Sequence, residues 1–205
     1  MNLFEPCNEL VIANMAPEET RALDVLTHLL APELVVETGT WRGESAFNFS
    51  LHAPVITMDN GSGGVKPDLA LLRGRPIELV HGTTPGDLPS LDSQVKGKRW
   101  IFLHDSEHYG DILVAEAEWA FSRGALCVLW HDFGMIDTMP ASAHRPSMPQ
   151  GARLLRERGH PLIRLQDCGL EEFRYYTGVE ATFVLSAKGD ATNWYTGIGL
   201  AWPKP

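Results

Sequence analysis

The stretch LVVETGTWRGES, residues 34–45, decides the fold predicted for this chain. A short apolar run ends in an acid, a turn containing two glycines follows, and a helix-compatible segment closes the stretch. This order predicts a strand, a tight loop and the N-terminus of a helix. α/β proteins bind nucleotide-like cofactors at such a place, because the helix N-terminus and the loop backbone offer hydrogen-bond donors.

The spacing of the acid and the glycines distinguishes between cofactors. Glu37, Gly39 and Gly43 follow the pattern acid-x-Gly-x-x-x-Gly, whereas dinucleotide sites carry Gly-x-Gly-x-x-Gly so that the backbone can approach a diphosphate. S-adenosylmethionine has no phosphate, and this spacing favours it. We expect Gly39 to approach the cofactor closely and Gly43 to give a close helix–strand contact, while Thr40 and Ser45 supply hydrogen bonds.

Composition narrows the class of protein. The 205 residues suit one domain, and 44% of them are apolar, enough for a substantial core. The formal net charge of −9, without a basic run, disfavours nucleic acid as a partner. Neither an apolar stretch of the roughly 20 residues that span a bilayer nor a secretory leader is recognisable, so we expect a cytoplasmic protein with no membrane partner.

Apolar runs and helical patterns alternate along the chain. This alternation predicts an α/β fold with a Rossmann-like, doubly wound sheet of seven strands, mostly parallel. A hairpin of Arg174–Tyr176 and Ala181–Leu185 is expected to add the one antiparallel strand. The strand signals are Leu34–Glu37, Val55–Asp59, Ile77–Val80, Trp100–Asp105, Ala125–Asp132, Leu162–Leu165 and Ala181–Leu185, and the helical ones are Glu44–Ser50, Pro67–Leu72, Ile112–Arg123 and Gln150–Arg158.

Three segments lie outside this alternation, within a single domain of residues 1–205. Residues 1–32 are interpreted as an N-terminal helical cap, with a helix start at Ala16–Glu19, where a proline precedes two acids. Residues 134–149 are too long for a simple connection and predict a lid-like insertion. Residues 190–205 form a C-terminal tail, for which a packing strap, a contact in a homo-oligomer and a disordered end remain open.

Polar residues also follow the second and third predicted strands. Asp59 ends the second strand, where a carboxylate can accept hydrogen bonds from the two ribose hydroxyls of a nucleoside. The alternative is a polar strand end before a turn. After the third strand, Gly82 lets the backbone come close and Thr83 is placed to meet an adenine edge, although a simple turn explains the same residues.

Titratable residues crowd the end of the fourth strand, at His104–Tyr109. Open α/β sheets place ligands at the carboxyl ends of parallel strands, so this cluster predicts a functional site. His104 is assigned to the cofactor site. His108 is the candidate general base, because imidazole titrates near neutral pH. The alternative for His108 is a surface residue at the start of the next helix.

A second polar pair, His131 and Asp132, ends the next strand. If the two strands are neighbours, Asp105 and Asp132 face one crevice, where two carboxylates repel each other unless a proton or a cation lies between them. Mg²⁺ prefers such oxygen ligands, so these two acids are the candidate metal ligands. The alternative is that Asp132 bonds local backbone and His131 packs beneath the lid.

Taken in order, these motifs resemble those of class I S-adenosylmethionine-dependent methyltransferases, over about residues 34–185. Within that class the chain is most similar to a branch of small-molecule O-methyltransferases that includes macrocin-type and cephalosporin-hydroxylase-like proteins. The resemblance implies methyl transfer to a hydroxyl of a small molecule, such as a sugar or a secondary metabolite. The residues that carry the likeness are Glu37-x-Gly39-x-x-x-Gly43, Asp59, His81-Gly82-Thr83, Asp105–Tyr109, Gly124 and His131-Asp132.

For that reaction, His108 is the expected base and His131 the second candidate, while Asp105 orients the base or shares a Mg²⁺ ion with Asp132. Two other functions remain open. One is a metal-dependent hydrolase or oxygenase, because two histidines and a carboxylate can bind iron or zinc. The other is a module that binds the cofactor without turnover. The metal-dependent alternative would use His104, Asp105, His108, His131 and Asp132.

Overall fold

The computed structural model describes residues 9–11, 17–130, 148–164 and 199–204. Its helices are α1 (Pro17–Leu30), α2 (Glu44–Phe49), α3 (Leu69–Leu72), α4 (Asp92–Val95), α5 (Gly110–Ser122) and α6 (Met148–Glu157), with a 3-10 turn at Leu88–Leu91. Its strands are β1 (Leu34–Thr38), β2 (Val55–Asp59), β3 (Ile77–His81), β4 (Trp100–His104), β5 (Val128–Trp130), β6 (Leu162–Arg164) and β7 (Gly199–Ala201). None of the helices in these ranges combines the length and apolarity that crossing a bilayer requires.

All seven of these strands form one sheet in the order β3-β2-β1-β4-β5-β7-β6. Neighbours from β3 to β5 run parallel, while β7 runs antiparallel to both β5 and β6. The predicted fold, a mostly parallel seven-stranded sheet with one antiparallel strand, is therefore confirmed for the described residues.

The antiparallel strand comes from a different segment than we predicted. Gly199–Ala201, within the predicted tail, forms β7, whereas the predicted hairpin of Arg174–Tyr176 and Ala181–Leu185 lies outside the described residues. In the sheet, Leu200 pairs with Leu129 of β5 and also with β6. A strand of three residues is too short to show alternation, so the tail carries no strand signal.

Two helices begin inside the segments that we predicted as the N-terminal cap and the lid. α1 begins at Pro17, inside the predicted helix start, as expected for a proline in the first helical turn. α6 begins at Met148, so the last two residues of the predicted lid, 134–149, belong to a helix. The rest of that segment lies outside the described residues.

The order of the strands reverses between β1 and β4. From β1 the chain builds outward to β2 and β3, and then returns to the other side of β1 with β4 and β5. In open α/β sheets, ligands bind outside the carboxyl ends of the strands at such a switch point. The register places Glu37 beside Thr57 and Thr38 beside His104, so the polar ends of three strands meet there.

Helices cover both faces of the sheet, which explains the near-continuous apolar strands. One face packs against α5 and buries Trp100, Phe102 and Trp119 in edge-to-face contacts, with ring centroids 5.5–6.5 Å apart. The other face packs against α1 and α2 around Ile101 and Leu103. The core therefore fixes the strands from both sides and leaves their carboxyl ends to form the crevice.

Removing β7 should abolish cooperative folding. Leu200 and Ala201 are buried, and β7 pairs with two strands. Deleting residues 199–205 would remove roughly 2–4 kcal/mol of apolar burial and several hydrogen bonds, each worth about 1 kcal/mol, which together are a large part of a typical domain's stability. Urea unfolding followed by tryptophan fluorescence should show no cooperative transition for this deletion.

The matched control is a deletion of residues 203–205, which follow β7 and of which Pro203 and Lys204 are exposed. This shorter deletion should leave the urea midpoint unchanged. Equal midpoints for the two deletions would contradict the contribution assigned to β7.

Candidate functional site

Two acidic side chains lie buried beneath the crevice, on opposite faces of the sheet. Successive side chains of a strand alternate between the faces. Glu37 therefore lies on the face covered by α1 and α2, while Thr38 and His104 lie on the face covered by α5, where Glu116 meets them. Both glutamates are completely shielded from solvent. Each is the centre of one hydrogen-bond network.

Glu37 organises the first network. Its Oε2 accepts a hydrogen bond of 2.7 Å from Oγ1 of Thr57. Because that hydroxyl has a single proton, the 2.7 Å bond between Thr57 and Thr40 is donated by Thr40. Ser45, in the first turn of α2, also stabilises the Glu37 carboxylate by hydrogen bonding. The structure thus brings Glu37, Thr40 and Ser45 together. Thr57, which bonds both Glu37 and Thr40, was not among the residues predicted from the sequence.

The pKa of Glu37 is raised to about 8, chiefly by burial. Hydrogen bonds from the hydroxyls of Ser45 and Thr57 oppose this shift, and the negative charges of Asp105 and Asp59 add to it. Glu37 is therefore mostly neutral at pH 7. Both aspartates, predicted from two other strands, bond the end of β1 or the loop after it, Asp59 at the amide of Trp41 and Asp105 at the carbonyl oxygen of Thr38.

Gly39 brings the loops after β1 and β4 into contact. Its φ is +87°, and a Cβ placed there would lie 1.9 Å from the carbonyl oxygen of Asp105 and 2.9 Å from the amide nitrogen of Ser106. Only glycine satisfies both the left-handed backbone and the lack of space. We expected Gly39 to approach another group closely through its backbone. In the protein by itself, Gly39 makes this approach to the Asp105–Ser106 peptide.

Gly43 has a different partner than we predicted. Its φ is also +87°, and it immediately precedes α2. A Cβ at this position would lie 2.9 Å from the side chain of Leu72 in α3, so the close contact joins two helices and not a helix and a strand. The amide of Asp68 donates a 2.9 Å hydrogen bond to the carbonyl oxygen of Arg42. This long-range bond, which spacing does not reveal, holds α3 against the loop.

Asp59 joins the loops after β1 and β2. Its Oδ1 accepts a 2.6 Å hydrogen bond from the amide of Gly61, and its Oδ2 accepts one of 3.2 Å from the amide of Trp41. Each carboxylate oxygen can accept a second hydrogen bond, and the residue is half-buried. Asp59 is thereby fixed at the end of its strand with capacity for two hydroxyl donors.

The loop after β3 is closed by Asp87, which the sequence reasoning missed. The amide of Thr83 donates a 2.7 Å hydrogen bond to Oδ2 of Asp87, and the amide of Asp87 donates one of 2.9 Å to the carbonyl oxygen of Thr83. A Cβ at Gly82 would lie 3.1 Å from both Asp87 and the sulfur of Met58. An aspartate just ahead of a proline turn was the available signal. Thr83 itself is exposed.

Glu116 of α5 organises the second network. Its Oε2 lies 2.6 Å from Nδ1 of His104 and accepts a 3.0 Å hydrogen bond from Oγ1 of Thr38. Its Oε1 accepts one of 3.1 Å from Oγ of Ser106, which in turn accepts one of 3.4 Å from Oγ1 of Thr84. His104 is completely buried. This burial favours a supporting role for His104 over the direct cofactor contact that we expected.

Glu116 was not among the predicted site residues, although the sequence carries its signal. A glutamate within a helix is usually interpreted as facing solvent. Helical periodicity, however, groups residues three and four positions apart on one face, and all four such neighbours of Glu116 are apolar. These neighbours are Ile112, Leu113, Trp119 and Ala120.

The candidate catalytic residues lie in the loop between β4 and α5. Asp105 and His108 are both half-buried, and the amide of Asp105 donates a 2.9 Å hydrogen bond to the carbonyl oxygen of Thr38. His131 and Asp132, the second candidate base and the second candidate metal ligand, lie outside the described residues. Within the described part of the chain, no group of three His, Cys, Asp or Glu side chains could hold a metal ion.

Solved structures share this arrangement of strands and helices. The O-methyltransferase TomG from Streptomyces achromogenes, which is involved in tomaymycin synthesis and was solved with S-adenosylmethionine, has a TM-score of 0.62 and 17% identity, over 97% of this chain and 83% of its own. This chain has the class I methyltransferase fold. An O-methyltransferase from Bacillus cereus, solved with S-adenosylhomocysteine, has a TM-score of 0.61 and 13% identity, over 94% of this chain and 84% of its own.

A methyltransferase from Podospora anserina, also bound to S-adenosylhomocysteine, has a TM-score of 0.59 and 10% identity, over 91% of this chain and 78% of its own. No protein-family model and no curated protein matches the sequence. The likeness therefore lies in the fold, at identities too low to carry residue roles across.

Replacing Gly39 with alanine should destabilise this methyltransferase fold more than the same change at Gly97. Both glycines have a positive φ, but a Cβ at Gly97 would meet nothing within 4 Å, whereas at Gly39 it would meet Asp105. We expect a loss of about 1 kcal/mol for Gly97→Ala from backbone strain and of at least about 3 kcal/mol for Gly39→Ala, because the backbone must move. Urea unfolding measures both, and equal losses would disprove the close contact.

The raised pKa of Glu37 predicts a pH dependence of stability. The pKa is about 8 in the folded protein, against an ordinary value of 4.5. Below the lower value both states hold the proton. Between the two values unfolding releases it, so the free energy of unfolding falls as the pH rises and levels off above about pH 8. Glu37→Gln, which is uncharged at every pH, should lack this contribution.

Urea unfolding of both proteins from about pH 5 to about pH 9 tests this expectation. The difference in the free energy of unfolding, the native chain minus Glu37→Gln, should fall by a few kcal/mol across the range, since one pKa unit is worth roughly 1.4 kcal/mol. Titrating groups that do not interact with Glu37 contribute equally to both proteins and cancel. Parallel profiles would mean that Glu37 titrates normally in the folded state.

Proposed function

We propose that this protein transfers a methyl group from S-adenosylmethionine to a hydroxyl oxygen of a small molecule. The observation that carries the proposal is the convergence of Glu37, Asp59 and Asp105 at the ends of β1, β2 and β4, where the strand order reverses. This is where open α/β sheets bind nucleotide-like ligands. The likeness to structures solved with S-adenosylmethionine or S-adenosylhomocysteine supports the same cofactor here.

The described residues fit this cofactor. Asp59 has acceptor capacity left on both oxygens, which suits the two ribose hydroxyls. Exposed Thr83 is assigned to the adenine edge. Gly39 and Thr40 line the amino-acid end, supported from below by the neutral Glu37. When bound, S-adenosylmethionine supplies a methyl group that its sulfonium already activates, so the protein mainly has to align the partners.

The acceptor hydroxyl has to lose its proton as it attacks. We assign His108, half-buried after β4, as the base that removes it, because a neutral imidazole can take up a proton near pH 7. Asp105, in the same loop, would orient that base. His131 is kept as the second candidate on the strength of its motif.

No step is assigned to a metal ion. Asp105 is the only described member of the Asp105–Asp132 pair that we predicted as ligands, and the described residues contain no cluster of three ligands. The same finding gives no support to a metal-dependent hydrolase or oxygenase. In addition, one ring nitrogen of His104, a ligand in that alternative, is engaged by Glu116.

Titration calorimetry with S-adenosylhomocysteine tests the cofactor site. The native chain should bind it in the micromolar range. Asp59→Asn should weaken binding at least 10-fold, because the amide can accept from fewer donors than the carboxylate. Asp68→Asn is the matched control, since Asp68 caps α3 on the exposed surface and asparagine caps a helix equally well.

Absence of binding by the native chain would overturn the proposal, whereas equal binding by Asp59→Asn would remove only the ribose contact from it. The same samples, given methyl-labelled S-adenosylmethionine and a panel of sugars and phenols, test turnover. Label transferred to a panel member supports the enzyme. Cofactor binding without transfer to any hydroxyl favours a module that has lost turnover.

A further inference from the structure

The network around Glu116 ties α5 to three parts of the crevice. Thr38 belongs to the end of β1, His104 and Ser106 flank the end of β4, and Thr84, which bonds Ser106, lies in the loop after β3. Two of the connections end in the loops that carry the candidate catalytic and adenine-binding residues. The carboxyl group at the centre is completely buried.

The geometry of the network suits a carboxyl group and not an amide. The hydroxyls of Thr38 and Ser106 donate to different oxygens of Glu116. A carboxyl group can accept both bonds while its Oε2 also bonds Nδ1 of His104, whereas an amide would present a donor to at least one of the two hydroxyls. Nε2 of His104 is buried and has no hydrogen-bond partner among the described residues, so Glu116 makes the one described hydrogen bond of this ring.

Ser106 connects this network to the cofactor loop. The peptide between Asp105 and Ser106 lies against Gly39, with no room for a Cβ between them. A carboxylate that holds the Ser106 side chain from below therefore holds the backbone on which the loop after β1 rests. Burying a charged group is costly unless its hydrogen bonds are satisfied, and an apolar residue of similar size would suit the apolar face of α5 better.

We propose that Glu116 is a positioning residue of the cofactor site. It fixes the Asp105–Ser106 peptide against Gly39 and, through Ser106, holds the loop after β3 at Thr84. Glu116 touches neither the cofactor nor the acceptor and acts through the backbone that it holds. This inference rests on the proposed function, because the ligand it serves is S-adenosylmethionine.

The test compares the same substitution at two positions of α5. Glu116→Gln keeps the size of the side chain, but its amide N–H donor would face the donating hydroxyl of Thr38 or Ser106. Glu118→Gln is the matched control, because Glu118 is about half exposed and pairs with Arg158 at the surface. Calorimetry with S-adenosylhomocysteine should show at least a 10-fold higher Kd for Glu116→Gln and an unchanged Kd for Glu118→Gln.

Hydrogen exchange of the ligand-free proteins gives a second readout. Amides of residues 105–107 and 83–87 should exchange faster in Glu116→Gln than in the native chain, while those of β2 should not change. Val95→Ala controls for stability, because Val95 is fully buried in α4, which leads into the amino end of β4, whereas the crevice lies at the carboxyl ends of the strands. It should lower the urea midpoint and leave both the Kd and the local exchange unchanged.

Ser106→Ala covers the case in which Glu116→Gln does not fold. It removes the bond to Glu116 from a half-buried residue and should raise the Kd roughly 3- to 10-fold. If Glu116→Gln folds, adding Ser106→Ala to it should raise the Kd less than Ser106→Ala does alone, because the two residues act through one contact.

The outcomes separate this inference from the function it rests on. Failure of the native chain to bind S-adenosylhomocysteine would overturn the proposed function and, with it, the role of Glu116. Binding by the native chain with an equal Kd for Glu116→Gln or, where that variant does not fold, for Ser106→Ala, would overturn the positioning role alone. A Kd raised equally by Val95→Ala would show that lost stability, and not position, explains the effect.

Discussion

The contact between Gly39 and the Asp105–Ser106 peptide is the constraint on which the crevice depends. β1 and β4 are neighbours at the switch point, and their loops meet backbone to backbone, at a distance that excludes any side chain. Because the two backbones touch, neither loop can shift without the other. The hydroxyls, carboxylates and imidazoles around the crevice are therefore positioned relative to one fixed peptide.

Two buried glutamates lie beneath the crevice on opposite faces of the sheet, and the cost of burying them is met in different ways. Glu37 lies near two other acids and retains its proton at neutral pH, so it behaves as a neutral hydrogen-bonding group. Glu116 is surrounded by three hydrogen-bonding side chains, one of them an imidazole. Burial without such protonation or such partners would cost several kcal/mol. Protonation of Glu37 and the hydrogen bonds of Glu116 thus reduce the cost of burying these two side chains.

Much of the fold could be predicted because β1, β2 and β4 are mostly apolar on both faces and end in recognisable polar residues. The convergence of Glu37, Asp59 and Asp105 followed from the rule that carboxyl ends of parallel strands meet at one edge. The contact of Gly43 with α3 depends on packing between distant segments, which spacing along the chain does not encode. The turn that follows Asp87 and the apolar neighbours of Glu116 were readable signals, but the partners of Glu116 on β1 and β4 follow only from the folded structure. β7 was missed because three residues carry no periodicity.

The position of β7 has a consequence for how the chain folds during synthesis. β5 and β6 are not neighbours in the sheet, and their common partner is β7, the last strand along the described part of the chain, with Leu200 opposite Leu129. Until that strand leaves the ribosome, both earlier strands present open hydrogen-bonding edges, which are sites of misassociation. Pairing across so long a separation is slow, because chain entropy is lost before any contact forms. The nascent chain is therefore most vulnerable before β7 has been translated, and chaperone protection matters most up to that stage.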